Sequence, residues 1–119
     1  MRASEREEEP VGMRVYLAAP YSNGDPALNV ERVIEAAHLL IEAGHEPFVP
    51  HLSHFIHARY PHTWETWMTI DLAWLPYAEA FVRLDGESKG ADIEERHARA
   101  HGIPIYSLDE LLGCSSRMA

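Results

Sequence analysis

The chain has 119 residues, 46% hydrophobic and 24% charged, with 10 basic against 19 acidic side chains and a net charge of −9. That is one domain's length, enough to bury roughly two thirds of the unfolded surface without disulfides or a structural metal. Scattered, outnumbered Lys and Arg argue against a duplex nucleic-acid binder and against an anionic membrane surface, and no apolar run reaches the roughly 20 residues of a spanning helix.

Residues 1–12 (MRASEREEEPVG) lack apolar periodicity and are expected to form a solvated tail, with Met13 an equally good start. The domain is expected over 13–113, and 114–119, which carry the lone Cys114, as a flexible C-terminus. A single cysteine without an internal partner fits a cytoplasmic protein.

Met13–Ala19 reads as a short buried strand, followed by the turn-rich loop Pro20-Tyr21-Ser22-Asn23-Gly24. Asp25-Pro26 opens a helix, Asp25 as cap and Pro26 at the first helical position. Val30, Val33, Ile34, Ala37, Leu40 and Ile41 recur at helical spacing until Gly44 stops the run. His45–Pro50 suggests a second strand. His51–His62 carries four histidines and no clean period, which fits a partly helical loop. Trp64, Trp67, Met68, Asp71, Leu72, Trp74 and Leu75 fit a helix ending near Pro76. A third strand is predicted over 80–84, a glycine-containing turn over 85–90, and a helix over 91–100 with Gly102 as its stop. A fourth strand over 103–106 and a short helix capped by Ser107 complete the chain.

Strands alternating with helices over short connections imply an α/β fold, with a parallel sheet covered by helices on both faces. Ligands of such folds bind at the carboxyl ends of the strands, here the loops after Ala19, Pro50 and Leu84. The turn Gly86-Glu87-Ser88-Lys89-Gly90 is neither a P-loop nor a dinucleotide fingerprint, but its helix-start amides favour an anion. Glu94 and Glu95 lie just inside the helix that follows, and the macrodipole is expected to keep one of them ionised and nucleophilic. Asp71 interrupts the apolar stripe Trp67-Asp71-Trp74-Ala78, where a carboxylate is costly unless it has a partner or a task. Tyr16, Tyr21, Tyr60 and Trp64 are aromatics that can stack on a base or sugar. His51, His54 and His57 have a spacing that could carry a metal. Without Cys or an HExxH pattern they are read instead as a wet, aromatic-rich cleft loop, with no metal and no cofactor implied.

Taken together, VYLAAPYS (15–22), PHLSHF (50–55), WETWMTIDLAWL (64–75), GESKGADIEE (86–95) and GIPIY (102–106) resemble the nucleoside 2-deoxyribosyltransferase-like superfamily over roughly residues 13–106. That group includes nucleoside deoxyribosyltransferases and nucleoside 5′-monophosphate N-glycosidases, and the likeness is to its small bacterial and phage members. The resemblance implies a three-layer Rossmann/flavodoxin-like sandwich with four to five parallel strands. It implies Glu94, at the end of Ser-x-Gly-x-x-x-Glu, as nucleophile, and Asp71, in Asp-x-x-Trp-Leu, as proton donor or positioning acid. Tyr16 would contact these carboxylates, and Ser88 resembles a serine that binds a 5′-phosphate. The phosphate-gripping Arg of the relatives' first loop is missing from Ala19-Pro20-Tyr21-Ser22-Asn23, so Ser22, Asn23 and Lys89 are the candidates to compensate, with Gly90, Tyr21, His51 and His54 as further binding residues.

These residues suit cleavage or transfer at the N-glycosidic bond of a nucleoside or nucleoside 5′-monophosphate: one carboxylate attacks C1′ while a second acid protonates the departing base. The alternatives are a non-catalytic nucleotide-binding or sensing module and a metal hydrolase using His51, His54 and His57. The implied partners are a small nucleoside or nucleotide and further copies of the chain, in a homodimer or larger homo-oligomer. The apolar Trp64–Trp67–Trp74 helix is the expected interface.

Overall fold

A computed structural model describes residues 12–118, with side chains described through Gly113. The expectations for the tail, apart from Gly12, and for the side chains of 114–119 lie outside the described residues. In chain order the elements are β1 (Arg14–Ala18), α1 (Pro26–Glu42), β2 (Glu46–Phe48), α2 (His54–Arg59), α3 (Trp64–Trp74), β3 (Ala80–Arg83), α4 (Lys89–Ala100), β4 (Ile105–Tyr106) and α5 (Leu108–Met118). Short 3-10 turns at Pro50–Ser53 and Leu75–Tyr77 precede α2 and follow α3.

The four strands form one sheet in the order β2-β1-β3-β4, and every neighbouring pair is parallel. Alternation along β1 divides the core. Val15, Leu17 and Ala19 join Ala80 and Val82 of β3 beneath Val33, Ala36, Ala37 and Leu40 of α1 and Leu111 of α5. Tyr16, Ala18 and Phe81 point the other way, under Leu75, Ala91, Ala98 and Ile103. Because strand side chains alternate with period two, this one register packs both helical layers. The chain therefore has the flavodoxin-like α/β architecture, with helices on both faces of a parallel sheet.

Element ends follow local chemistry. Asp25 caps α1, accepting from the Ala27 N–H at 3.0 Å, with Pro26 in the first turn. Helix α4 begins at Lys89, earlier than the expected Ala91, because Ser88 Oγ accepts the Ala91 N–H at 3.0 Å and draws Lys89 and Gly90 into the first turn. Strand β4 starts only at Ile105, since the Ile103 N–H turns back to the Ala98 carbonyl and Pro104 has no N–H to give. Similarly, the His45 N–H bonds Leu40 O and closes α1, so β2 begins at Glu46. The histidine-rich stretch is helical in two pieces, and α5 runs past the expected Leu112.

Between β1 and β3 the connections diverge, toward β2 on one side and β4 on the other. Such a divergence opens a crevice at the carboxyl ends of the strands.

Candidate active site

Three side chains from three elements meet on the α4 side of that crevice. Tyr16, in the middle of β1, is 1% exposed and donates its hydroxyl hydrogen to Glu94 Oε2 at 2.8 Å. Glu94 is 5% exposed because Ala91, Glu94 and Ala98 form the sheet-facing stripe of α4. Asp71, in the last turn of α3, is half-buried and interacts directly with the Glu94 carboxyl. The ring of Tyr16 is fixed by stacking on Phe81, its register partner on β3, with centroids 5.7 Å apart.

Burial sets the protonation of this cluster. Desolvation raises Asp71 to about 6. It raises Glu94 to about 8, with Asp71's charge adding to the effect and the Tyr16 hydrogen bond and Arg83 opposing it. Tyr16 itself is held neutral by burial and by the two carboxylates. The expectation that the helix dipole keeps Glu94 ionised is therefore corrected: the residue lies beyond the first turn of α4, and loss of solvent outweighs the dipole. The pair titrates as a unit that holds one shared proton near neutrality. Glu95, by contrast, lies among cations, its Oε2 2.9 Å from Arg99 and its Oε1 3.5 Å from Arg83.

The carboxyl pair forms the floor of a cleft of about 910 Å³. Tyr21, Ser22 and Asn23 line it from the loop after β1, His51 from the 3-10 turn, and Ser88, Lys89 and Gly90 from the start of α4. Gly90 keeps that floor low: a Cβ there would stand 3.4 Å from Met68 Sδ and 3.8 Å from Trp64 Nε1. Lys89 places its ammonium over the Trp64 ring, 5.4 Å from the centroid.

Several expected binding residues turn out to be committed to the frame. Asn23 lines the cleft, but its Nδ2 donates to Glu87 O at 2.9 Å and ties the first loop to the third. Ser88 Oγ is the α4 cap. His54 stands behind the cleft wall, bonded through Nδ1 to the Tyr21 hydroxyl at 2.8 Å. His51 is buried, its Nε2 donating to Pro20 O at 3.0 Å while Nδ1 has no partner, and burial lowers its basicity. Tyr60 is 63% exposed beneath the Arg59 guanidinium and does not line the cleft. His51, His54 and His57 are thus engaged separately, and among the described residues no three His, Cys, Asp or Glu converge to hold a metal.

Sequence reasoning missed other contributors. Asn29 of α1 is 8% exposed and donates to the carbonyls of Tyr21 and Asn23, fixing the first loop. Its signal was a polar residue on a core-facing stripe, the same signal that singled out Asp71. Arg83, at the end of β3, anchors the third loop through Gly86 O at 3.0 Å and an ion pair with Asp92. Trp67 and Met68 complete the cleft wall beside His57 and His62, which belong to the expected histidine-rich cleft loop. Their contact depends on how α2 folds back on α3, which no local spacing encodes.

A parallel α/β domain with a carboxylate-floored cleft at its switch point defines the class. Residues 13–108 match the family described as a domain of unknown function (DUF7768), and the chain belongs to that family. Among solved structures it is similar to a 2-deoxyribosyltransferase from Bacillus psychrosaccharolyticus, at 22% identity and a TM-score of 0.56, over 79% of this chain and 70% of that one. That likeness is one of fold. No curated protein matches the chain. Among the described residues no helix is long and apolar enough to cross a membrane.

Proposed function

We propose that this protein cleaves or transfers at the N-glycosidic bond of a nucleoside or nucleoside 5′-monophosphate, as a member of the nucleoside 2-deoxyribosyltransferase-like superfamily. The observation that carries the proposal is the Tyr16–Glu94–Asp71 cluster, a buried phenol and carboxyl joined to a half-buried second carboxyl at the floor of an open cleft. The deoxyribosyltransferase fold likeness supports it.

The shared proton rests on Glu94, and the reaction requires its passage to Asp71, which leaves Glu94 ionised; the Tyr16 hydrogen bond and nearby Arg83 assist that step by stabilising the Glu94 carboxylate. Glu94 attacks C1′ as the C1′–N bond breaks, its electron pair leaving with the base, and Asp71 delivers the proton to the base. The glycosyl ester on Glu94 is then opened at C1′ by water, giving a hydrolase, or by the nitrogen of a second base, giving a transferase. Asp71 accepts the proton released in that step. Tyr16 holds the Glu94 carboxyl in line throughout.

Lys89, Ser22 and the first-turn amides of α4 form the end of the cleft suited to an anionic 5′ group. We also propose self-association. Phe48, Ile70, Trp74 and Tyr77 are all exposed, and Trp74 stacks on Phe48 and meets Tyr77. Trp64 and Trp67 face the cleft, so the proposed contact is narrower than the whole helix.

The test is release of free base from deoxyribo- and ribonucleosides and their monophosphates. Glu94→Ala is expected to abolish release while leaving the far-UV spectrum intact, and undiminished turnover in that variant would refute the assignment. One observation favours the non-catalytic alternative, namely that burial biases both carboxyls toward their neutral, hydrogen-bonding forms. Saturable nucleotide binding without base release across the panel would establish it.

A further inference from the structure

The wall of the cleft formed by α2 and α3 holds an imidazole whose tautomer is set by its neighbours. The Trp67 indole Nε1–H donates to His57 Nδ1 at 2.9 Å, and the His62 backbone N–H donates to the same atom at 3.2 Å. An atom that accepts two hydrogen bonds carries no proton, so the His57 ring proton sits on Nε2. The rings of Trp67 and His62 pack edge-on at 5.4 Å, and that of His57 meets Trp67 at 6.0 Å, which holds the imidazole in place. His57 lines the cleft, and Nε2 has no protein partner among the described residues. The ring therefore offers the cleft a donor and no acceptor.

Its position indicates which part of a nucleoside it meets. Asp71, the acid that would protonate the departing base, lies one helical turn along α3 from Trp67, the residue that orients His57. The base must lie over α3 for that proton to reach it, and the indoles there suit a planar ring. Lys89, over the Trp64 ring at the start of α3, and the first-turn amides of α4 suit an anion instead.

We infer that His57, locked as an Nε2–H donor by Trp67 and His62, binds a carbonyl oxygen of the nucleobase, so that the protein selects oxo-bases over their amino counterparts. This rests on the nucleoside reading of the cleft. An exocyclic amino group in the same place would set donor against donor, a repulsive element that discriminates as strongly as the attractive one. Negative charge spreads onto the carbonyl oxygen as the base departs, so the bond strengthens during cleavage. His57 thereby acts as a specificity-determining residue.

Two isosteric pairs, each as nucleoside and as 5′-monophosphate, test this: deoxyinosine against deoxyadenosine and deoxyuridine against deoxycytidine. Binding is followed by quenching of indole emission, and base release separately. In whichever pair binds, the parent protein is expected to favour the oxo member by about tenfold. His57→Phe should erase that preference, and His57→Gln, whose amide N–H reaches the Nε2 position, should restore it in part. A preference unchanged in His57→Phe, or a parent protein that favours the amino member, overturns the inference. Oxo-selective binding without base release would defeat the catalytic reading alone, whereas base release with indifferent selectivity would defeat this inference alone. Absence of binding to all four nucleosides and to their 5′-monophosphates would overturn both.

Discussion

At the scale of single residues, Glu94 shows most clearly how environment overrides type. The same carboxyl that would ionise near 4.5 in solution is pushed up to about 8 by loss of water. Below 4.5 it is neutral in both folded and unfolded chains and has no effect on stability. As pH rises toward 8 the unfolded chain ionises freely while the folded one must hold its proton, so stability falls across that window by at most about 1.4 kcal/mol per pH unit. Glu94→Gln keeps the shape and removes the titration. Its melting temperature relative to the parent is expected to rise steadily from pH 5 to pH 8, and a difference that stays flat over that range would contradict the buried, proton-holding state.

At the scale of elements, the cleft depends on how α4 begins. Ser88 caps the helix, and the preceding Gly86 has φ +126, with a Cβ there 2.6 Å from Pro20 Cγ. Backbone in that region and a clash with the ring of the first loop act together, so Gly86→Ala is expected to lower stability more than Ser88→Ala, which should cost about 1 kcal/mol. Urea denaturation of both variants checks the order. The elements themselves were largely legible, because Asp25-Pro26, the Val33–Leu40 stripe and the Gly102 stop are local signals. So were the carboxyl partners, Asp71 from its misplaced polarity and Glu94 from its motif. Hidden from the sequence were the loop ties of Asn23, Asn29 and Arg83 and the folding of His57 onto Trp67. These depend on backbone carbonyls and on packing between elements, for which residue spacing leaves no trace. The Glu94 proton was misjudged because a dipole can be read from position along a helix, whereas desolvation requires knowing what covers it.

For the molecule as a whole, the apolar surface is unevenly used. Trp74 is 58% and Tyr77 69% exposed, next to Phe48 on the edge strand β2. Exposed aromatics clustered beside a sheet edge are unusual on a monomer that stays in solution alone. Sedimentation at micromolar concentration is expected to show a dimer or larger species, which Trp74→Glu should shift toward monomer. A parent chain that sediments as a monomer would rule out this contact.

The Tyr16–Glu94 hydrogen bond joins positions 78 apart in sequence, one on the first strand and the other on the next-to-last helix. Neither the leading half of the chain nor the trailing half holds the Tyr16–Glu94–Asp71 cluster by itself. During refolding, the cluster would re-form only after the central strands have zipped together and α4 has docked across them, later than the bulk of the helical signal. Recovery of the proposed base release would thus time the final assembly step, and a split or circularly permuted version of the chain would regain it only where its two pieces re-form that single reach across the sheet.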